Sequence, residues 1–130
     1  MKALYITDEI DTCDCCGRTD LKATVAMQLS DGGILHYGRT CAARNSGKDQ
    51  RQIKEEIASS MQDRIDAAYR ELQETPARKA MKNKRLELSL RYKGTLTAGQ
   101  YMRMTESERE AVEQAIQQIA KKYRVPVGSF

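Results

Sequence analysis

Apolar residues recur every three or four positions along two long stretches of the chain, which is the spacing of one face of an α-helix. The first stretch runs from Lys48 to Glu74 and ends at Pro76, because a proline pushes the residue before it out of the helical region. The second runs from about Glu106 to Tyr123 and ends before Pro126. The predicted buried stripes are Ile53, Ile57, Met61, Ile65, Ala68 and Leu72 in the first helix, and Val112, Ala115, Ile116, Ile119 and Tyr123 in the second.

The stretch between these two helices combines two periodicities. Pro76 suits the first position of a new helix, which we predict to continue to about Arg85. Beyond it, "LELSLRY" (86–92) places a leucine at every second position, which is the period of a β-strand, so helix and strand both stay open there. Two later threonines, each three residues before a Gln or Glu, predict capping boxes at helix N-termini: Thr97 with Gln100 and Thr105 with Glu108.

The first fifty residues have the pattern of a β-hairpin. Two short apolar runs, "ATVAMQL" (23–29) and "GILHYG" (33–38), flank Asp31-Gly32-Gly33, which suits a tight turn. Thr40 then predicts the N-cap of a helix that begins near Cys41. The predicted fold is α+β and mainly α, with a small β-hairpin module over residues 1–48. A helical region of about three to four helices, over residues 49–130, follows without a flexible linker.

Positive charge is concentrated in one segment of the chain. The net charge is +4, but residues 76–104 alone carry eight Lys/Arg against one Glu, a balance of +7. This distribution predicts a directed cationic surface rather than diffuse basicity.

The composition also bears on the compartment. No apolar run approaches the ~18 residues of a membrane span, and the N-terminus "MKALYITDEIDT" has acids where a secretory signal would have its apolar stretch. We therefore expect a soluble, cytoplasmic protein without membrane association. In a reducing cytosol, clustered cysteines are metal ligands more often than disulfides.

Every cysteine of the chain and its single histidine lie between residues 13 and 41. Cys13-x-x-Cys16-Gly17 places two thiols on a tight knuckle, and Cys41 at the start of a helix is a third candidate ligand. Zinc prefers four N or S ligands in a tetrahedron, and His36 is the only imidazole that could complete the set. The predicted site is therefore structural Zn²⁺ bound by Cys13, Cys16, His36 and Cys41, with Cys15 as the alternative fourth ligand.

The motifs "CCGRTDL" and "YGRTCAAR" resemble the treble-clef type of small zinc finger found in bacteriophage and mobile-element proteins, which read C-x-x-C-G-R and then G-x-x-C-A-x-K/R. The resemblance covers residues 13–44 and implies the order knuckle, hairpin and ligand-bearing helix. It also implies ligation by Cys13, Cys16 and Cys41. Treble clefts usually take their fourth ligand one turn into the helix, where this chain has Arg44 and Asn45.

Catalysis is not expected from this sequence. Treble clefts also underlie His-Asn-His nucleases, but that chemistry needs at least two histidines and this chain has one. A catalytic zinc keeps an open coordination position and a nearby general base, for which no second histidine is present. The chain also has no nucleophile–base pair and no phosphate-binding loop. We therefore predict that the protein is not an enzyme.

The basic segment 76–104 predicts nucleic-acid binding, to DNA or RNA, because cationic side chains neutralise phosphates. The residues assigned to this role are Arg78, Lys79, Lys82, Lys84, Arg85, Arg91 and Lys93. Tyr92 and Tyr101 could stack on bases. In the alternative interpretation, these cations pair with the acidic residues of the preceding helix in an antiparallel hairpin, namely Glu55, Glu56, Asp63, Asp66, Glu71 and Glu74.

A second hypothesis is a protein–protein interaction module, such as a small phage-type regulator that binds and inhibits a host enzyme. The Met-rich "QYMRMT" (100–105) would suit an adaptable contact surface, although methionines also fill gaps in helical cores. The apolar stripe between residues 53 and 72 is also long enough for self-pairing, so a homodimer is a further alternative.

Overall fold

A computed structural model describes all residues from Met1 to Phe130 and contains three strands and five helices. The strands are β1 (Lys2–Thr7), β2 (Thr24–Gln28) and β3 (Ile34–Tyr37). The helices are α1 (Arg39–Ser46), α2 (Gln50–Glu74), α3 (Pro76–Tyr92), α4 (Ala98–Met104) and α5 (Glu106–Tyr123). The predicted class, α+β and mainly α, is confirmed. None of the five helices combines the length and the apolar content that a membrane span requires.

The sheet is antiparallel in the order β1-β2-β3. The predicted hairpin is β2–β3, in which Val25 pairs with Tyr37 and Met27 with Leu35. Its turn has Gly32 at φ 88°, a conformation that glycine adopts without steric cost. The adjacent backbone N–H of Gly33 donates to Asp31 Oδ1 at 2.8 Å. Strand β1 was not predicted, because its register is set by pairing with the distant β2 and not by local turn chemistry.

Helix α1 begins without the predicted cap. Its N-cap is Gly38, which makes no side-chain hydrogen bond, and Thr40 lies inside the first turn. The prediction that Thr40 caps this helix is therefore wrong. The helix still places Cys41 in its first turn, where Cys41 and Ala42 are buried.

The chain divides into two compact units, residues 1–63 and 64–130, with the division inside α2. The predicted boundary lies before this helix, between residues 48 and 49. The difference arises because the start of α2 packs into the sheet: Ile53 is buried in the same core as Val25 and Met27. Within this unit the hydroxyl of Ser60 on α2 also donates to the carbonyl of Ala3 on β1, at 3.1 Å.

In the second unit, α3 continues as a helix through Tyr92, which resolves the ambiguity of "LELSLRY". Leu88 is buried together with Met81, seven residues earlier on the same helical face, whereas Leu86 and Leu90 are exposed. The alternation of leucines therefore does not define one side of a strand. As predicted, Pro76 lies at the helix start, and Thr75 accepts a hydrogen bond from the N–H of Arg78.

The two predicted capping boxes have different outcomes. The one at Thr97 and Gln100 is present in full at the start of α4. Thr105 precedes α5 but makes no side-chain cap, because its hydroxyl donates instead to the carbonyl of Tyr101 at 2.8 Å. The core of this unit joins α2 and α5 through Ala68, Leu72, Ile119, Ala120 and Val125.

Two leucines of α3 offer a test of this helix. Leu88 is 5% exposed and Leu90 is 69% exposed. Truncating a buried leucine costs about 2–5 kcal/mol, whereas a surface substitution usually changes stability by less than about 0.5 kcal/mol. We expect Leu88→Ala to lower the free energy of unfolding by the larger amount and Leu90→Ala to leave it unchanged, as measured by urea denaturation. Similar losses in both variants would indicate that the two side chains share one buried face, as in a strand.

Candidate metal centre

Three cysteines that are far apart in sequence meet at one point of the first unit. The sulfur atoms of Cys13, Cys16 and Cys41 all lie within 4.8 Å of one another. Cys13 and Cys41 are buried, and Cys16 is exposed. A tetrahedral zinc ion with Zn–S bonds of about 2.3 Å would hold its sulfurs roughly 3.8 Å apart, so this cluster could hold a metal ion with little rearrangement.

A tight turn forms the knuckle that carries the first two thiols. The N–H of Gly17 donates to the carbonyl of Cys13, and the N–H of Cys13 donates to the carbonyl of Arg18, both at 2.9 Å. Gly17 has a φ of 73°, in the region where a side chain is strained, which explains why a glycine follows the second cysteine. The turn thereby brings the thiols at positions 13 and 16 to the same side.

Backbone amides prepare Cys13 to carry a negative charge. Burial raises the pKa of the Cys13 thiol, but the N–H groups of Cys16, Gly38 and Cys15 donate to its sulfur and lower the pKa to about 7. These donors come both from the knuckle and from the start of α1. Cys13 therefore ionises more readily than an ordinary thiol, and thiolates are the form that binds metals.

Cys41 has the opposite behaviour. Interaction of its protonated thiol with the sulfur of Cys13, and then with that of Cys16, burial and the sulfur of Cys15, raise the pKa of Cys41 to about 12. Without a cation, several thiolates at this distance would repel one another, so the last thiol keeps its proton. A bound cation removes this repulsion and displaces the proton.

Cys15 also lies at this cluster. Its sulfur contributes to the raised pKa of Cys41 and accepts a hydrogen bond from Asn45 Nδ2 at 3.2 Å. The same amide nitrogen donates to the carbonyl of Cys41 at 2.8 Å, one turn earlier on α1. Asn45 occupies the region where treble clefts usually carry their fourth ligand. In this chain its side chain holds a cysteine of the knuckle instead.

His36, the predicted fourth ligand, is not a member of this group. Successive side chains of a strand point to opposite faces, and its neighbours Leu35 and Tyr37 pack onto the core that contains Cys13 and Cys41. The imidazole therefore leaves β3 on the other face. The backbone of His36 nevertheless positions the knuckle, because its N–H donates to Asp14 Oδ2 and its carbonyl accepts from the N–H of Asp14, both at 2.7 Å.

Two arginines lie beside the sulfurs. A cavity of about 110 Å³ is lined by Cys13, Cys16 and Cys41 together with Arg18 and Arg39. Four thiolates around a divalent cation leave a net charge of −2, which nearby guanidinium groups would stabilise. The positive charge of these two arginines thus fits a thiolate-rich metal site.

Neither arginine, nor Asn45, was identified from the sequence as a contact of the site. Only the spacing of Asn45, four residues after Cys41 on a helix, could have indicated it.

The predicted nucleic-acid-binding residues lie on α3, except Lys93, which directly follows it. Lys79, Lys82, Arg85, Arg91 and Lys93 are exposed, and Arg78 and Lys84 are half-buried. Of these seven, Lys79 is the one in an ion pair, with Glu74 at 3.4 Å. Arg91 also lies over the ring of Tyr92, 5.6 Å from its centroid.

Four of the six acidic residues that could have neutralised α3 pair with cations outside the basic segment. Glu55 pairs with Arg51, Glu56 with Lys48, Asp63 with Lys2 and Glu71 with Lys122. Glu74 pairs with Lys79 of the basic segment. Of these five acids, Glu74 alone therefore forms the kind of ion pair that the alternative interpretation requires.

Comparison with known proteins gives no further assignment: no family model, no curated protein and no solved structure matches the chain. The resemblance of residues 13–44 to treble-clef fingers therefore stays a prediction from the motif.

The thiol pKa values predict how metal affinity depends on pH. At pH 7.5 a thiol with a pKa of about 7 is mostly ionised, whereas one with a pKa of about 12 is fully protonated. Binding of Zn²⁺ must then displace close to one proton from Cys41. For each proton displaced, the affinity for Zn²⁺ should fall about tenfold when the pH is lowered by one unit. Competition titrations with a chromophoric chelator between pH 6 and 8.5 would measure this slope. An affinity independent of pH over this range would contradict ligation by the protonated thiols.

Proposed function

We propose that this protein is a small zinc-binding, nucleic-acid-binding protein in which the zinc is structural. The convergence of the sulfurs of Cys13, Cys16 and Cys41 carries the first part of this proposal. Soft thiolate ligands in a tetrahedral arrangement favour zinc over magnesium or calcium, which prefer oxygen. We further propose that Cys15, rather than His36, is the fourth ligand.

Two contacts support the assignment of Cys15. Adjacent cysteines seldom bind the same ion, because neighbouring side chains diverge, yet the thiols of Cys15 and Cys16 both reach the thiol of Cys41. In addition, the amide of Asn45 donates to the sulfur of Cys15. Such N–H···S bonds from outside the ligand set orient metal ligands and stabilise thiolate charge.

The role of this zinc would be structural. Four cysteine ligands close the coordination sphere and leave no position for water or substrate, in contrast with catalytic zinc sites. We accordingly propose that the protein is not an enzyme. The reduced state that these thiols need fits a cytoplasmic location, and the finger motif fits an origin in a phage or mobile element.

The exposed cations of α3 and of the residue that follows it support nucleic acid as the partner. Lys82, Arg85, Arg91 and Lys93 are exposed and have no ion pair within the protein, so their charge is available to phosphates. Each phosphate that a cation neutralises releases counterions and steepens the salt dependence of binding. The sole acidic residue of the segment 76–104 is Glu87.

A second candidate function, binding and regulation of a host enzyme, is favoured by apolar residues on the surface. Leu86 and Leu90 are 60% and 69% exposed on α3, and Met102 and Met104 are exposed on α4. A protein partner that covers these side chains would bind with little dependence on salt. The variant Leu86→Ser/Leu90→Ser would then abolish its binding.

The fourth ligand can be identified by X-ray absorption at the zinc edge. We expect four sulfur neighbours at about 2.3 Å in the wild-type protein and in His36→Gln. Cys15→Ser should lose one sulfur neighbour and bind zinc more weakly. A site with three sulfurs and one nitrogen in the wild type, lost in His36→Gln but kept in Cys15→Ser, would assign the ligand to His36.

Charge reversal tests the nucleic-acid partner. In Lys82→Glu/Lys93→Glu two exposed, unpaired cations are reversed; Arg78 is left intact because its Nε is buried without a hydrogen-bond partner. We expect at least about tenfold weaker binding to a mixed-sequence oligonucleotide at low salt. The log–log salt slope should be smaller by roughly 1.4, at about 0.7 per phosphate of a single strand.

The matched control is Lys54→Glu/Lys121→Glu, which makes the same charge change at exposed helical lysines outside the basic segment. It should bind nearly as the wild type does. Equal losses in both double variants would mean that net charge, and not the surface of α3, governs retention of nucleic acid.

A further inference from the structure

A cleft lies in the second unit where α3 ends and α4 begins. Its volume is about 370 Å³, in the lower part of the range of small-ligand pockets. The aromatic rings of Tyr92 and Tyr101, both half-buried, line it together with the apolar side chains of Leu88 and Leu96. Arg85 is its one charged lining residue.

We propose that this cleft binds one nucleotide of a single-stranded nucleic acid, with the base against the two tyrosine rings and a phosphate at Arg85. The inference rests on the proposed function, and it names the form of nucleic acid and the site that takes a base. Aromatic rings stack on bases of any sequence, and the guanidinium group of arginine matches the geometry of phosphate.

The walls of the cleft are fixed before any ligand binds. Lys93 and Gly94 end α3 with φ values of 50° and 80°, and the hydroxyl of Thr95 donates back to the carbonyl of Tyr92 at 2.6 Å. The capping box of Thr97 then fixes the first turn of α4, which carries Tyr101. A site whose shape is already set loses less conformational entropy on binding.

Charge and shape together select this occupant over others. The cleft belongs to the segment with a balance of +7, so an anionic ligand is favoured over a neutral or cationic peptide. The bases of a duplex are already stacked and paired, so they would not stack on the two tyrosine rings. In a single strand the bases are free to leave the stack and enter a pocket.

The test measures binding of labelled nucleic acids by fluorescence anisotropy, using the zinc-loaded protein of 130 residues. An oligothymidine octamer is compared with an abasic octamer of equal charge and with a duplex, and free thymidine monophosphate serves as competitor. We expect the octamer to bind at least about fivefold more tightly than the abasic strand, which corresponds to the lower end of one base–aromatic stack. The monophosphate should compete only at much higher concentrations.

Variants of the two rings link this preference to the cleft. Tyr92→Leu and Tyr101→Leu should each remove at least about fivefold of the affinity for the octamer and none for the abasic strand. Tyr92→Phe and Tyr101→Phe keep the ring and should bind as the wild type does. The matched control is Tyr69→Leu, at an exposed tyrosine of α2 that is not part of the cleft. If a leucine variant misfolds, photocrosslinking replaces it as the test. An octamer that contains 4-thiothymidine should then label residues 85–101 of the wild-type protein.

The outcomes separate this inference from the proposed function. Equal affinity for octamer and abasic strand, with leucine variants like the wild type, would overturn the base site while leaving phosphate binding intact. No binding of any strand at low salt would overturn the proposed function itself. Competition by thymidine monophosphate at the same concentration as the octamer would overturn the assignment to a strand.

Discussion

The first unit contains several thiols within a few ångströms of one another, and these can all become thiolates only when a cation offsets their mutual repulsion. Three of these sulfurs lie within 4.8 Å, and Cys13 and Cys41 are also members of the hydrophobic core of residues 1–63. Neutral thiols at such a place contribute only as small apolar groups. A cation that converts them to thiolate ligands would join the knuckle and α1 at one point. Metal ligation in small zinc domains contributes roughly 10–16 kcal/mol, comparable with the whole stability of a domain.

Both units are small, and a unit of fewer than about 70–80 residues seldom gains more than a few kcal/mol from its core alone. The core of the second unit, residues 64–130, is helical and contains no cysteine. A metal ion at the cysteine cluster would thus stabilise residues 1–63. The basic segment, with the cleft at its end, belongs to the unit without the cluster.

The sequence predicted several features that depend on local chemistry, although not the caps at Thr40 and Thr105, and missed some that depend on distant contacts. The turn at Asp31-Gly32-Gly33, the capping box at Thr97 and the end of α5 follow from short-range rules, and each was predicted. Cys13, Cys16 and Cys41 were predicted as a group from their spacing and their residue type. Strand β1 depends on pairing with the distant β2, which no periodicity within the segment encodes. The position of His36 relative to the thiols depends on which face of β3 packs onto the core, and only the structure shows this.

The central claim is that a metal ion at the cysteine cluster holds the first unit together. Amide hydrogen exchange, measured by mass spectrometry on the reduced protein before and after complete metal removal, tests it most directly. We predict that β2, β3 and α1 lose their protection on metal removal, while α3 and α5 keep theirs. Unchanged protection of β2, β3 and α1 in protein shown to be free of metal would contradict the account.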